Sequence, residues 1–265
     1  MMLSLRSPGG DFNSSPDSGQ YVPQLDYEHL ARRSNVLRSL HATHEEWRHA
    51  MESFVVASSV PQVQAIEYAF KHVENSHGGE GDYDTLVHMQ RGALTAVILA
   101  ERLGYDVSDR RILMVSMRVH DAGKLNSDIQ ALLSIPRPND EQFKIIQSHA
   151  ALGLTYGAVL SLGPVVQGIT GFHHAYKAKD PYGAELTAVP EDLRNKRLEM
   201  VAAVADVCDA LLSVREYREN DPSRPLVFTP EEAIEKLRAE LTVDADILDA
   251  MEALLLSTPS APAIV

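Results

Sequence analysis

The segment 200–212, MVAAVADVCDALL, most constrains how this chain can fold. Its apolar residues cover nearly the whole circumference of a helix, which indicates a helix buried on all sides. Asp206 lies in the middle of the segment, where an unpaired carboxylate would cost several kcal/mol. The fold must therefore bring a cation or a strong hydrogen-bond donor to Asp206. Asp209, three positions further on, is either a partner behind that site or part of an exposed face.

The rest of the chain also follows the period of an α-helix. No run of alternating apolar residues is long enough to form a sheet, so the sequence predicts an all-α fold. Thr229 before Pro230, with Glu232 three residues after Thr229, is a capping box that predicts a helix start. The predicted helices are 27–40, 44–57, 60–73, 84–103, 110–122, 141–162, 164–176, 196–217, 230–241 and 246–256.

Composition and helix pattern also predict the domain organisation. Residues 1–25 are rich in Ser, Gly and Pro, which predicts a disordered tail. The amphipathic pair 27–40 and 44–57 predicts a short N-terminal helical extension over residues 26–59. One helical domain would follow over 60–256, with a C-terminal tail over 257–265.

The charge and the N-terminal residues restrict location and partners. A net charge of -13 argues against binding a nucleic-acid polymer or an anionic membrane, since phosphate recognition needs a basic face. The first residues lack the apolar core of a secretory signal, and Cys208 is the one cysteine. The uncharged stretch 150–172 is interrupted by Gly163 and Pro164, which favours two buried helices over a membrane span. We therefore expect a cytoplasmic protein without a membrane-inserted segment.

Histidines and carboxylates recur on the apolar faces of the predicted helices. His149 follows two isoleucines, and His173 and His174 are adjacent at the end of an uncharged helix. Neighbouring helical side chains point about 100° apart, so this pair can reach two different atoms, which suits two metal ions. A single buried histidine is more often a hydrogen-bonded core residue than a ligand. These histidines and carboxylates indicate a metal site only when they are taken together. The full set is His88, His120, Asp121, His149, His173, His174 and Asp206.

In this order, the set resembles the HD superfamily of metal-dependent phosphohydrolases, and the adjacent histidine pair resembles its HD-GYP branch. The segment VHDAGKL is similar to the H-D-I-G-K element of the family. DTLVHMQR resembles Y-T-x-x-H-S-x-R, and EQFKIIQSHAALG resembles E-x-x-x-I-x-x-H-x-x-x-G. MVAAVADVCDALLSVREYR is similar to I-V-A-V-A-D-x-Y-D-A-L-x-x-x-R-P-Y-R. The resemblance covers roughly residues 60–256 and implies an HD-domain helical bundle.

One loop departs from the family pattern. After the histidine pair, the family has H-H-E-x-x-D-G-x-G-Y-P, whereas this chain reads HHAYKAKDPYGAEL. Ala175 replaces the glutamate, and the Gly-Tyr-Pro signature is rearranged to Pro181, Tyr182 and Gly183. Metal chemistry therefore has more support than any particular substrate.

The resemblance implies roles for individual residues. Asp121 would bridge two metal ions, with His88, His120 and Asp206 around one ion and His149, His173 and His174 around the other. Asp84 is a candidate ligand for a third ion. Imidazole and carboxylate ligands together suit iron or manganese. Lys124 would stabilise charge on the phosphate in the transition state. Lys177, Lys179 and Arg215 are candidates for contacts with substrate.

The function implied is a phosphodiesterase that cleaves a cyclic dinucleotide by attack of a metal-bridging hydroxide. Cyclic di-GMP would give the linear dinucleotide pGpG, and further hydrolysis would give GMP. Three alternatives stay open: an HD hydrolase for another nucleotide or phosphate ester, a di-iron oxygenase, and a non-catalytic cyclic-dinucleotide receptor or partner-binding module. The N-terminal helices are candidates for forming a homodimer.

Overall fold

A computed structural model describes residues 34–76, 85–133, 135, 138–185, 188–213 and 226–257 of the chain. Within these ranges the chain is largely helical, and the β-structure consists of one isolated bridge between Lys177 and Leu241. The predicted all-α fold class is confirmed. The α-helices are α1 (Asn35–Ser39), α2 (His44–Ser58), α3 (Pro61–Ser76), α4 (Thr85–Arg102), α5 (Val107–Met117), α6 (Ser127–Leu133), α7 (Asp140–Gln147), α8 (His149–Val159), α9 (Pro164–Phe172), α10 (Lys196–Leu212), α11 (Pro230–Glu240) and α12 (Ala245–Leu256). The described residues also contain two 3₁₀ turns, Ala122–Leu125 and Glu191–Leu193.

The structure differs from the predicted helices in three ways that bear on the site. The helix expected over 141–162 is divided at Ser148, whose backbone N–H bonds back to α7 while His149 begins α8. The helix expected over 110–122 ends at Met117, so His120 and Asp121 lie in a turn. Helix α6 was not predicted, although Asn126, whose side chain accepts from the backbone N–H of Asp128, is a typical residue before a helix. Residues 1–33, 214–225 and 258–265, which include the predicted N-terminal tail and all of the predicted C-terminal tail except Ser257, lie outside the described residues.

Helices α4 and α10 form the centre of the bundle. Most side chains of each helix are buried, and the two helices pack against each other, with α5 against the other side of α4. Helix α10 contains the segment 200–212, so the apolar circumference seen in the sequence corresponds to a helix enclosed by its neighbours. Asp206 and His88 face each other across this central pair of helices.

The N-terminal helices share this core. Val36 and Leu37 of α1 and Ala50 and Phe54 of α2 belong to the same apolar cluster as the buried faces of α4, α5, α10 and α12. These two helices are thus packed into the same core as the helices that follow them. The domain boundary expected at residue 59 stays a prediction.

Helices α8 and α9 account for the long uncharged stretch. Helix α8 ends at Val159, Gly163 precedes α9, and Pro164 occupies its first turn. None of the helices described is both long enough and apolar enough to cross a bilayer.

Candidate metal centre

The residues predicted as metal ligands come from five parts of the fold. They lie on α4 (His88), in the turn after α5 (His120 and Asp121), at the start of α8 (His149), at the end of α9 (His173 and His174) and on α10 (Asp206). We call these seven residues the ligand cluster. Their ligand atoms form three overlapping groups with spacings within 4.8 Å: His149, His173 and His174; His88, His120 and Asp206; and His120, Asp121 and His173.

The first two groups are the sets that the resemblance implies for two metal ions. Six of the seven residues are buried, and the side chain of His174 is 12% exposed. The role of these residues as ligands stays a prediction. Asp84, the candidate ligand for a third ion, lies outside the described residues.

Two glycines allow the His-Asp turn to approach α8. A Cβ atom on Gly123 would lie 1.9 Å from the carbonyl oxygen of His149. A Cβ atom on Gly153 would lie 2.7 Å from Cγ2 of Thr170. Because neither position has room for a side chain, the 3₁₀ turn packs directly on the backbone of α8. This contact brings Asp121 to 3.2 Å from Nε2 of His149.

Backbone carbonyls fix the orientation of three imidazoles. The Nδ1 atoms of His120, His149 and His173 lie 2.7 to 2.9 Å from carbonyl oxygens three residues earlier in the chain. A carbonyl can only accept, so each Nδ1 carries a proton, and in the neutral imidazole Nε2 then presents a lone pair. In metal sites, a hydrogen bond of this kind to the outer ring nitrogen orients the imidazole toward the ion.

His88 is oriented by a carboxylate instead. Its Nδ1 donates to Oδ2 of Asp209 at 2.7 Å, and Arg91 donates two hydrogen bonds to the same carboxylate. The Arg91 guanidinium and His88 hold the pKa of Asp209 below its usual range although burial would raise it. Asp209 is fully buried, so it is the partner behind the site and does not form an exposed face.

Several electron-rich atoms of the ligand cluster face one another. The Nε2 atoms of His149 and His173 are 3.3 Å apart, and Nε2 of His88 lies 2.9 Å from Oδ1 of Asp206. His120 Nε2, Asp121 Oδ1 and His174 Nδ1 are buried without a hydrogen-bond partner. A buried polar atom left unpaired costs about 1–3 kcal/mol. Facing lone pairs and unpaired acceptors fit cations that they would share, so the residues present fit metal binding.

The charge states also suit metal binding. Burial lowers the pKa of His149 to about 4 and that of His173 to about 3, so both are neutral at pH 7. Burial raises the pKa of Asp121, but Lys124 and the neighbouring histidines outweigh this and hold it well below its usual value. Neutral imidazoles and ionised carboxylates are the forms that bind metals.

A cavity of about 550 Å³ opens above the ligand cluster. His88, His149, His174 and Asp206 are part of its lining, together with two predicted substrate residues, Lys124 and Lys177. The Nζ atom of Lys124 is 2.5 Å from Oδ2 of Asp121, which places this ammonium at the floor of the cavity. Lys179 is exposed and is not among the described residues of the lining, and Arg215 lies outside the described residues.

The loop after the histidine pair keeps one feature of the family motif, which is the position of its tyrosine. Tyr182 stands nine residues after His173, which is also the spacing of the tyrosine in the family motif quoted above. Its ring packs on His174 with the ring centroids 4.5 Å apart. The tyrosine thus keeps its position while its flanking glycine and proline have changed.

The sequence analysis missed a buried network behind the histidine pair. Glu199 is fully buried, accepts from the hydroxyl of Tyr176 and from Arg194, and Arg194 stacks on Phe172 at 3.6 Å. These contacts anchor residues on both sides of His173 and His174. A signal was available, because Glu199 precedes Asp206 by seven residues and therefore shares its face of the helix.

The sequence is similar to two curated proteins. It is 27% identical over 144 residues to the cyclic di-GMP phosphodiesterase response regulator RpfG of Xanthomonas campestris pv. campestris, a match that covers 52% of this chain and 36% of that protein. It is 30% identical over 135 residues to the 3'3'-cGAMP-specific phosphodiesterase 1 of Vibrio cholerae serotype O1, covering 51% of this chain and 30% of that protein. The chain thus matches about a third of the length of these relatives.

A solved structure is also similar. Bd1817, described as a HDG"Y"P protein from Bdellovibrio bacteriovorus, aligns with a TM-score of 0.48 and 16% identity over 80% of this chain and 69% of that chain. No protein-family model matches the chain.

Proposed function

We propose that this chain belongs to the HD-GYP branch of the HD superfamily and is a metal-dependent phosphodiesterase that hydrolyses a cyclic dinucleotide. Cyclic di-GMP is the leading candidate, with pGpG and then GMP as products. The observation that carries the proposal is the convergence of seven ligand groups from five parts of the fold, with three buried atoms unpaired. The activities named for the two curated relatives support the substrate class.

Two metal ions would be held by the ligand cluster, one by His149, His173 and His174 and the other by His88, His120 and Asp206. Asp121 lies beside both of these groups. Nitrogen and carboxylate donors together favour iron or manganese over magnesium, which prefers oxygen ligands. Such ions, when bound, supply Lewis acidity toward a phosphate ester and activate water as a nucleophile.

The chain's own residues would bind and orient the substrate. Lys124 lies at the floor of the cavity beside Asp121, where its ammonium can stabilise negative charge on a phosphate. The carbonyls of Met117, Ile146 and Thr170 keep three imidazoles in one tautomer, so these side chains need no reorganisation when they bind a ligand.

The test combines metal analysis with turnover. Protein purified without chelator should contain iron or manganese, and protein reconstituted with either metal should convert cyclic di-GMP to pGpG. Cyclic di-GMP, 3'3'-cGAMP and cyclic di-AMP should be assayed side by side, with chromatography of the products. No turnover of any cyclic dinucleotide at full metal occupancy would contradict the proposal and favour a receptor or partner-binding module.

The finer expectations about location and assembly also remain proposals. A cytoplasmic location is supported by the cysteine content, since the one cysteine, Cys208, cannot form an internal disulfide. A homodimer through the N-terminal helices would have to use residues such as Val55 and Val56, which are exposed on α2. Light scattering of the purified protein would test it.

A further inference from the structure

The cavity above the ligand cluster has two chemically different walls. One wall is apolar and includes Leu132, Ile135, Phe143 and Ile146 from the segment between α6 and the end of α7. Phe143 is 45% exposed and lines the cavity, so its side chain is accessible to a ligand there. A volume of about 550 Å³ is within the range of pockets that enclose small organic ligands.

The other wall is cationic. Lys177 follows the histidine pair, and Lys236 lies on α11; both line the cavity together with Lys124. Among the described residues of the lining, the carboxylates are Asp206, which belongs to the ligand cluster, and Glu240. In a chain with a net charge of -13, this local excess of lysines indicates recognition of an anion.

Contacts between two segments place Lys177 and Lys236 on the same wall. The backbone N–H of Ala178 donates to the carbonyl of Glu240, and the isolated bridge joins Lys177 to Leu241. Glu240 in turn forms an ion pair with Lys236 at 3.4 Å. The end of α11 is therefore fixed beside the loop that follows His174, and the two lysines flank Glu240.

Aromatic rings support both ammonium groups. The Nζ atom of Lys177 lies 5.0 Å from the ring centroid of Tyr182, which itself packs on His174. The Nζ atom of Lys236 lies 4.9 Å from the ring centroid of Phe228. These contacts restrict where the long side chains can point, so the charges stay at the wall of the cavity.

We propose that Lys177 and Lys236 bind the second phosphate of a cyclic dinucleotide whose first phosphate lies at the ligand cluster, while Phe143 stacks on a base. This inference rests on the proposed function and deepens it. It explains how a cavity with one reaction centre would distinguish a substrate with two phosphodiesters from one with a single phosphodiester. Glu240 weakens this second phosphate site because its charge competes for Lys236.

The experiment compares two substrates on the manganese-loaded full chain. Cyclic di-GMP offers two phosphates and two bases, whereas bis(4-nitrophenyl) phosphate offers one phosphodiester and no base. Lys236→Ala should raise KM for cyclic di-GMP roughly tenfold, as expected for loss of one charge-assisted contact, with kcat within about twofold. KM and kcat for bis(4-nitrophenyl) phosphate should not change.

Further variants sharpen the test. Lys236→Arg should restore the KM for cyclic di-GMP, and Glu240→Gln should lower it about two- to fivefold because a competing ion pair is lost. Phe143→Ala should raise KM about fivefold or more through loss of base stacking. Lys71→Ala, which removes an exposed charge on α3, is the matched control and should leave KM and kcat for both substrates unchanged.

The outcomes separate the two proposals. If Lys236→Ala and Lys71→Ala have the same KM for cyclic di-GMP, while the wild type hydrolyses it, the second phosphate site is wrong and the proposed function stands. If the wild type hydrolyses neither substrate, the proposed function itself fails. If it hydrolyses only bis(4-nitrophenyl) phosphate, the chain is a phosphodiesterase, but the cyclic-dinucleotide assignment and the second phosphate site are both overturned.

Discussion

Two buried polar clusters in this protein differ in how well their atoms are paired. The ligand cluster holds imidazoles and carboxylates whose inner atoms face one another or lack a partner. The second cluster surrounds Arg118, which is 1% exposed and lies two residues before His120. We call it the Arg118 cluster; it contains Arg118, Glu67, Ser58 and Phe54.

In the Arg118 cluster, the guanidinium of Arg118 has hydrogen-bond partners on several sides. The guanidinium donates to Glu67, to the carbonyl of Phe54 and to the hydroxyl of Ser58, and it stacks on the ring of Phe54 at 4.2 Å. Such a cluster joins α2 and α3 to the end of α5, and none of its side-chain atoms is among the buried unpaired atoms of the described residues. Buried charge is therefore common to both clusters, and the convergence of unpaired ligand atoms is what distinguishes the ligand cluster.

The largest expected effect is on the ligand cluster itself. Asp206→Asn keeps the shape of the side chain but removes its charge, so metal content should fall and turnover should drop on the order of 10²- to 10³-fold or more. The melting temperature in the presence of chelator should change little. Elemental analysis and a phosphodiesterase assay test this. Asp128→Asn, at an exposed position on α6, is the control; an equal loss in both variants would contradict the ligand role.

The Arg118 cluster should show the opposite behaviour. Arg118→Met leaves the partly buried Glu67 without its main partner, so the free energy of unfolding should fall by about 3 kcal/mol, the lower end of the range for a fully buried pair. The melting temperature should fall by about 10 °C. Urea unfolding measures the change, and metal content of the folded protein should stay normal. The double variant with Glu67→Met should regain much of the loss; strictly additive losses would rule out a coupled pair.

Asp209 lies between these extremes, because it touches a predicted ligand and is also fully paired. Asp209→Asn keeps a hydrogen-bond acceptor for His88 but removes the charge that faces Arg91. Metal affinity should fall about 10- to 100-fold while the fold is retained. Competition with a chelator of known affinity measures it. An unchanged affinity would mean that Asp209 only stabilises the fold.

The smallest expected effect concerns an ion pair far from both clusters. Burial raises the pKa of Glu46, but two hydrogen bonds from Arg102 and one from the backbone of Thr43 lower it below its usual value. This pair stabilises the fold fully above about pH 4.5 and loses its contribution as the pH falls through the folded pKa. Glu46→Gln should cost about 1 kcal/mol at pH 7.

Denaturant unfolding of the chelated protein at pH 7 and pH 3 tests the Glu46 prediction. The difference between Glu46→Gln and the wild type should shrink at the lower pH, since a growing fraction of the wild-type carboxyl is then protonated in the folded state as well as in the unfolded state. A difference that does not depend on pH would mean that packing, and not charge, accounts for the loss.

Much of the fold and of the ligand cluster could be predicted from local pattern. The apolar circumference of 200–212 indicated a buried helix, and Asp206 within it required a partner, which the structure supplies as His88. Helix boundaries near the site were harder to predict. The segment 141–162 has the composition of one helix, but it divides at Ser148, next to the place where Gly123 packs on the backbone of His149.

The cavity wall that contains Lys236 was predicted least well from the sequence. Lys236, Phe228 and Glu240 come from a segment with an ordinary amphipathic pattern, so nothing in it indicates that the residues line a cavity. Their position depends on two backbone contacts between α11 and the loop after His174. Such contacts join residues about sixty positions apart and leave no local signal.

The sequence by itself determined the helical class, the central helix and the chemical types of the ligand cluster, because each follows from local periodicity and from the cost of burying a charge. Only the tertiary structure decided which atoms of that cluster face one another, which carboxylate supports His88, and which lysines share a wall. Distances between segments depend on how helices pack, and packing is set by the whole core at once.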